Sequence, residues 1–130
     1  MMMHHIDVHV RDLKGVRTLF DALSSDLGYE RVPDEAGFVG YAPAGGERPR
    51  IGFTQDGEFA AGTIRIAFGV ANCEAVDRAG ATARRYGAKK LEGPSFHPEY
   101  GDDYYAVFFE DADGNRYEVV ANVDGIGATS

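Results

Sequence analysis

The sequence predicts an α+β fold: two tandem βαβββ modules forming a curled eight-stranded mixed sheet around a central cleft, with both helices on the outer face. Three observations carry this prediction. A period-two run at the start alternates Ile6, Val8 and Val10 with His5, Asp7, His9 and Arg11, the pattern of a half-buried strand. A capped helical stripe follows it at once. Both features then recur at an offset of 60 residues, where Ile6, Val8 and Val10 match Ile66, Phe68 and Val70, Asp12 matches Asn72, and Val16 matches Val76. Agreement of pattern, cap and stripe in one register marks an internal duplication. Two copies are too few for a solenoid, but two such modules complete each other's core.

The elements follow in order. After the first strand, about 4–11, Asp12 supplies a side-chain oxygen suited to an N-cap. Val16, Leu19, Phe20 and Leu23 form the stripe, and Gly28 ends the helix. Strands are expected near Tyr29–Val32, Phe38–Ala42 and Arg50–Thr54, the last two joined by the loop PAGGERP. The linker QDGEFAAG leads to Ile64, Ile66, Phe68 and Val70, then to the cap Asn72 and the stripe Val76, Ala79, Ala83 and Tyr86, closed by Gly87. Final strands are expected at about Ala88–Glu92, Tyr104–Glu110 and Asn115–Ala121, with Asp113-Gly114 marking a hairpin between the last two. The whole chain, 1–130, reads as one domain, with module one at about 4–54, module two at about 63–122 and a flexible C-terminal tail at 123–130.

Composition narrows the function. With 13 Lys and Arg against 21 Asp and Glu, the formal charge is −8. Nucleic-acid binding, which needs clustered cations, is not expected. No stretch has the ~18 apolar residues of a membrane span, and the N-terminus lacks the apolar core of a leader. The single cysteine allows no internal disulfide, which fits a reducing cytoplasm.

If each helix covers the Ile6/Val8/Val10 and Ile64/Ile66/Phe68/Val70 faces, the opposite faces carry His5, Asp7 and His9 from one module and Arg65 from the other. In the last strand Tyr117 and Val119 face the helix, leaving Arg116, Glu118 and Val120 on the open side. A cleft between the modules then gathers His5, Arg65 and Glu118. His9, Arg11 and Arg116 also read as an ordinary solvated sheet face.

These residues carry a resemblance. HHIDVHVRDL at the start and YYAVFFEDADGNRYEVV at the end resemble the vicinal oxygen chelate superfamily, which includes glyoxalase I, bleomycin-resistance proteins, fosfomycin-modifying enzymes and extradiol dioxygenases. The terminal hairpin of that family is usually Asp-Pro-Asp-Gly; here Ala112 stands at the proline. The resemblance implies a U-shaped sheet around a small-molecule site, often with a divalent metal that chelates two neighbouring substrate oxygens, and a homodimer. It places His5 at the first-strand histidine and Glu118 at the last-strand glutamate, as metal ligands or catalytic acid–base groups. Two positions depart from the pattern. Arg65 replaces the second histidine, and Ile51 or Gly52 stands where module one would supply a ligand.

Arginine stays protonated at working pH. At 4 Å and an effective dielectric of ~20 it repels a divalent cation by about 8 kcal/mol. Catalytic zinc, for comparison, usually keeps three protein ligands. Arg65 therefore reads as an ion-pair partner of Glu118 or as a clamp for an anionic ligand group. His97, in the loop GPSFHPEYGDDYY, borders the cleft in relatives and is either a ligand contact or a surface histidine. Of the sets Tyr105/Val107/Phe109 and Tyr104/Ala106/Phe108, one lines the cleft, with Tyr105 taken as a substrate contact alongside Arg65, Asp7, His9 and His97. Cys73, just inside a helix N-terminus, reads as structural. No nucleophile elbow, phosphate loop or cysteine-rich metal motif is present. Three functions remain: an isomerase, lyase or dioxygenase acting on a small oxygenated metabolite; a binder that sequesters a drug or metabolite; and an interaction protein with a closed cleft.

Overall fold

A computed structural model of the chain describes residues 4–46, 48–62 and 64–121; the expected tail at 123–130 lies outside them. Module one runs β1 (Ile6–Val10), α1 (Leu13–Leu27), β2 (Tyr29–Arg31), β3 (Phe38–Pro43) and β4 (Ile51–Gln55). Module two runs β5 (Arg65–Gly69), α2 (Cys73–Arg85), β6 (Lys89–Phe96), β7 (Tyr105–Glu110) and β8 (Arg116–Ala121). The helix starts form as the caps require: Asp12 accepts from the Gly15 amide at 2.9 Å, and Asn72 from the Ala75 amide at 2.9 Å. Gly28, at φ 74°, ends α1 in the left-handed conformation that glycine adopts without steric cost.

The eight strands stand as two four-stranded sheets of identical topology, β1-β4-β3-β2 and β5-β8-β7-β6. In each, the first and last strands of the module pair in parallel and the rest are antiparallel. The sheets are not closed onto one another, so β1 and β5 are both edge strands. What joins the modules is their apolar side. The Phe20 ring on α1 lies 4.7 Å from that of Phe53 in module one, and 5.1 and 6.1 Å from Tyr117 and Phe68 in module two. Thr82 on α2 donates to Asp26 on α1 at 2.7 Å.

Val8, Val10, Phe68 and Val70 are buried, as alternation requires, but Ile64 is not. It precedes β5 and is 73% exposed, so the expected core face of the second module begins at Ile66. β6 is longer than expected and carries two register shifts, between Lys89 and Glu92 and between Glu92 and Ser95. These irregularities disturb the alternation and explain why its sequence shows no clean period.

Candidate functional site

Each sheet has one face on the shared core and one face open, and the open faces hold the polar residues. In module one the open face carries Asp7 and His9 from β1 and Gly52 from β4, with His5 just before the strand. His5 Nε2 lies 3.8 Å from Asp7 Oδ2, and both side chains are half exposed. His9 Nδ1 lies 2.9 Å from Asp56 Oδ2. That contact, ahead of a backbone bond from Glu58, holds the Asp56 carboxyl below the usual carboxylate range. Gly52 is closed over by Phe38: a Cβ there would stand 2.5 Å from two ring carbons. No larger residue fits without moving that ring.

The same two-strand position is filled in opposite ways by the modules. Asp7 pairs with Gly52 across β1 and β4, whereas Ala67 pairs with Glu118 across β5 and β8. Each face therefore carries one carboxylate at this pair, delivered by the first strand in module one and by the last in module two.

Module two presents the denser arrangement. Glu118 is 6% exposed, and the Tyr104 hydroxyl donates to its Oε2. Burial, then the hydrogen bond and charge of Glu118, push the Tyr104 phenol up to about 12. Phe108 stands directly opposite Glu118 in the β7–β8 ladder, and the Arg65 guanidinium lies over its ring, 4.8 Å from the centroid. The His97 ring meets Phe108 edge-on at 5.1 Å and stacks on Tyr100 at 5.8 Å, and Tyr100 meets Tyr104 at 5.2 Å. His97 is itself fixed at both nitrogens, by Glu99 at 3.2 Å and Ser95 at 3.3 Å. The result is a carboxylate, a phenol and a guanidinium set among aromatic rings.

Several expectations change against this geometry. Arg65 and Glu118 share the face but form no ion pair; among the described residues Arg65 makes no salt bridge, and its partner is the Phe108 ring. Tyr105 is not on the open face. It lies on the helix side with Phe96, donating at 2.6 Å to Asp77 of α2, a bond that is the main cause of its phenol rising to about 12. Tyr104 takes its place. The structure joins His97 to the Arg65–Glu118 face, but gathers His5, Asp7 and His9 on the module-one face. Tyr104 and Phe108 belong to the alternative set that the alternation left open, and Tyr100 was not singled out from sequence. A signal for Phe108 was present, because the register of a hairpin turning at Asp113-Gly114 sets it opposite Glu118.

The metal site that the resemblance implies does not fit these residues on one chain. Among the described residues no three His, Cys, Asp or Glu side chains come together as a ligand set. Of the positions the resemblance implies, one is Arg65 and another is Ile51 or the covered Gly52, none of which offers a ligand, and Glu118 is engaged by Tyr104.

No protein-family model and no curated protein matches the sequence. Solved structures do. A glyoxalase/bleomycin resistance protein from Albidiferax ferrireducens T118 superposes with TM-score 0.75 at 24% identity, covering 94% of this chain and 99% of its own. A candidate glyoxalase from Bacillus halodurans gives 0.73 at 27% identity, covering 93% and 96%. The fosfomycin resistance protein FosX from Listeria monocytogenes, solved with Mn(II) and sulfate, gives 0.66 at 17% identity over 91% and 87%. Duplicated βαβββ topology, terminal motifs and structural neighbours agree: the chain has the fold shared by glyoxalase/bleomycin resistance proteins and FosX, the fold of the vicinal oxygen chelate superfamily.

Proposed function

We propose that the chain is a small-molecule-binding protein of the bleomycin-resistance kind, holding an oxygenated ligand on the open face of module two without a metal. The observation that carries this reading is Arg65. It takes the position of a family ligand, lies over Phe108 beside the Glu118–Tyr104 pair, and has no carboxylate partner among the described residues. A guanidinium held on a ring is pre-organised for a planar anionic group, and the rings of Phe108, His97 and Tyr100 offer stacking surface. The test is thermal stabilisation by planar aromatic carboxylates such as salicylate, with and without a chelator. Stabilisation that survives the chelator and disappears in Arg65→Ala is expected. Stabilisation that requires manganese, nickel or zinc overturns the reading. Arg65→His, which removes a charge and adds a ligand, is expected to raise divalent-metal affinity in calorimetry. Unchanged affinity counts against the placement of Arg65.

A second reading, an isomerase or lyase acting on a small oxygenated metabolite, has one observation in its favour. The Tyr104 hydroxyl sits directly on Glu118, a pair able to move a proton beside an anchored anion. Turnover that is lost in Glu118→Gln, with binding retained, would place this reading first. Both readings include a cytoplasmic setting and a homodimer. Light scattering of the purified protein tests the dimer. A strictly monomeric protein removes it.

A further inference from the structure

Between the edge strands β1 and β5 lies a groove of about 200 Å3, lined by neither Arg65 nor Glu118. Ile6, Val8, Phe59, Ile64 and Ile66 make its walls, and Ile64 is the most exposed large apolar residue described. An isoleucine side chain left 73% accessible on the wall of a concavity is unspent apolar surface. The polar groups of the groove are not spread evenly. The Asn115 side-chain amide donates to the His9 carbonyl at 3.2 Å and to Asp111 at 3.1 Å, tying the start of β8 to the end of β1. This sets His9 and Arg116 at one end. Among the described residues Arg116 forms no salt bridge. Its strand neighbours are Arg65 on β5 and Glu110 on β7, and Glu110 is shared with Lys90 at 3.9 Å. Asp7, the carboxylate that lines the groove, lies 3.8 Å from His5, and Asp56 lies 2.9 Å from His9.

We propose that this groove binds an amphipathic organic anion, a carboxylate head on Arg116 at the His9 end and an aliphatic body against Ile64, Ile66 and Phe59. The volume sets the size. Drug-sized ligands occupy about 300 Å3 or more, so the body is a short chain. Charge complementarity sets the head, because a guanidinium with no carboxylate partner takes a carboxylate bidentately. His9, held at Nδ1 by Asp56, presents Nε2 without a partner among the described residues and flanks the head.

The probe is octanoate, titrated calorimetrically into the full chain, with octanol as the uncharged control. Saturable octanoate binding, with octanol at least tenfold weaker, is expected. Arg116→Gln should weaken octanoate about tenfold, and Ile64→Asp, at an exposed position that folding does not need, should do the same. With the other anion site removed by Arg65→Ala, octanoate should still bind and Arg116→Gln should still weaken it, which separates this groove from the Arg65–Glu118 site. The proposal is overturned by equal binding of octanol, by wild-type affinity in both Arg116→Gln and Ile64→Asp, or by no binding at millimolar concentration. It is also overturned if Arg65→Ala alone abolishes binding, which would move the anion to the Arg65–Glu118 site.

Discussion

Tyr104 and Glu118 show how one contact sets the chemistry of a face. A phenol donating to a carboxylate loses its proton reluctantly, because the carboxylate favours the neutral donor and repels the phenolate. Burial acts in the same direction and is the larger cause. Replacing Glu118 by Gln removes the charge but not the burial. The Tyr104 phenol, now at about 12, should fall part of the way toward its ordinary value of 10.0. Ultraviolet titration of tyrosinate in the variant and in a Glu118→Gln, Tyr104→Phe double variant isolates that one ring. No change would mean that burial alone holds the phenol. The polarity of this position was legible from alternation, since Glu118 was expected on the open face. Its partner was not. Choosing between Tyr104 and Tyr105 required knowing which parity of β7 faces α2, and two tyrosines in sequence carry no such sign.

At the scale of elements, the turn between β7 and β8 does more than reverse the chain. Asp111 accepts from the Asp113 and Asn115 amides, the Asn115 side chain and the Tyr117 hydroxyl, so one buried carboxylate organises the hairpin. Asp113 reaches the other way. Its Oδ2 accepts from the Arg11 amide at 2.8 Å and the Asp12 amide at 3.0 Å, fastening the hairpin of module two to the start of α1. Asp113→Ala should therefore cost about 2 kcal/mol, roughly one for each hydrogen bond. A lower urea midpoint with an unchanged slope is the expected signature. Asp111 yields a prediction of opposite kind. Burial raises its carboxyl above the ordinary value, outweighing the hydrogen bonds that lower it. The folded state then holds its proton more tightly than the unfolded state. The stability this linkage supplies is complete below the unfolded value and is lost as pH rises through the folded one. Relative to Asp111→Asn, the wild type should lose stability as pH rises from the ordinary carboxylate value through that window. Urea unfolding of both proteins across it measures the difference. A difference that grows instead would show that the hydrogen bonds to the carboxylate prevail over its burial. The Asp-Gly step marked this hairpin in advance. The cross-module grip of Asp113 spans about a hundred residues of chain, beyond what a local turn signal encodes.

For the molecule as a whole, the two modules share a core because their helices cover both sheets. Phe20 is the clearest instance. It belongs to module one by sequence, yet its ring is in contact range of Phe53, Phe68 and Tyr117, across both modules. Truncation to alanine should cost about 3–5 kcal/mol, a large part of the ~5–15 kcal/mol available to a small domain. The loss should appear in both modules at once, as one unfolding transition at lower denaturant followed by probes in either half. Two separated transitions would mean that the modules are stable independently. No described helix is long and apolar enough to cross a membrane.

The sequence by itself determined the duplicated βαβββ plan, both helix starts, the strand faces of β1 and β8, and the presence of Arg65 and Glu118 on one open face. These are properties of period and capping, which depend on residues a few positions apart. Tertiary structure decided the rest: the split into two sheets with β1 and β5 at their edges, and the exposure of Ile64. It also set Arg65 on Phe108 in place of an ion pair, and put His5 and Glu118 on the faces of different modules. Those outcomes follow from how two similar modules pack, which is a matter of shape across the whole core. Alternation along a strand names the side a residue faces, but not what stands opposite it.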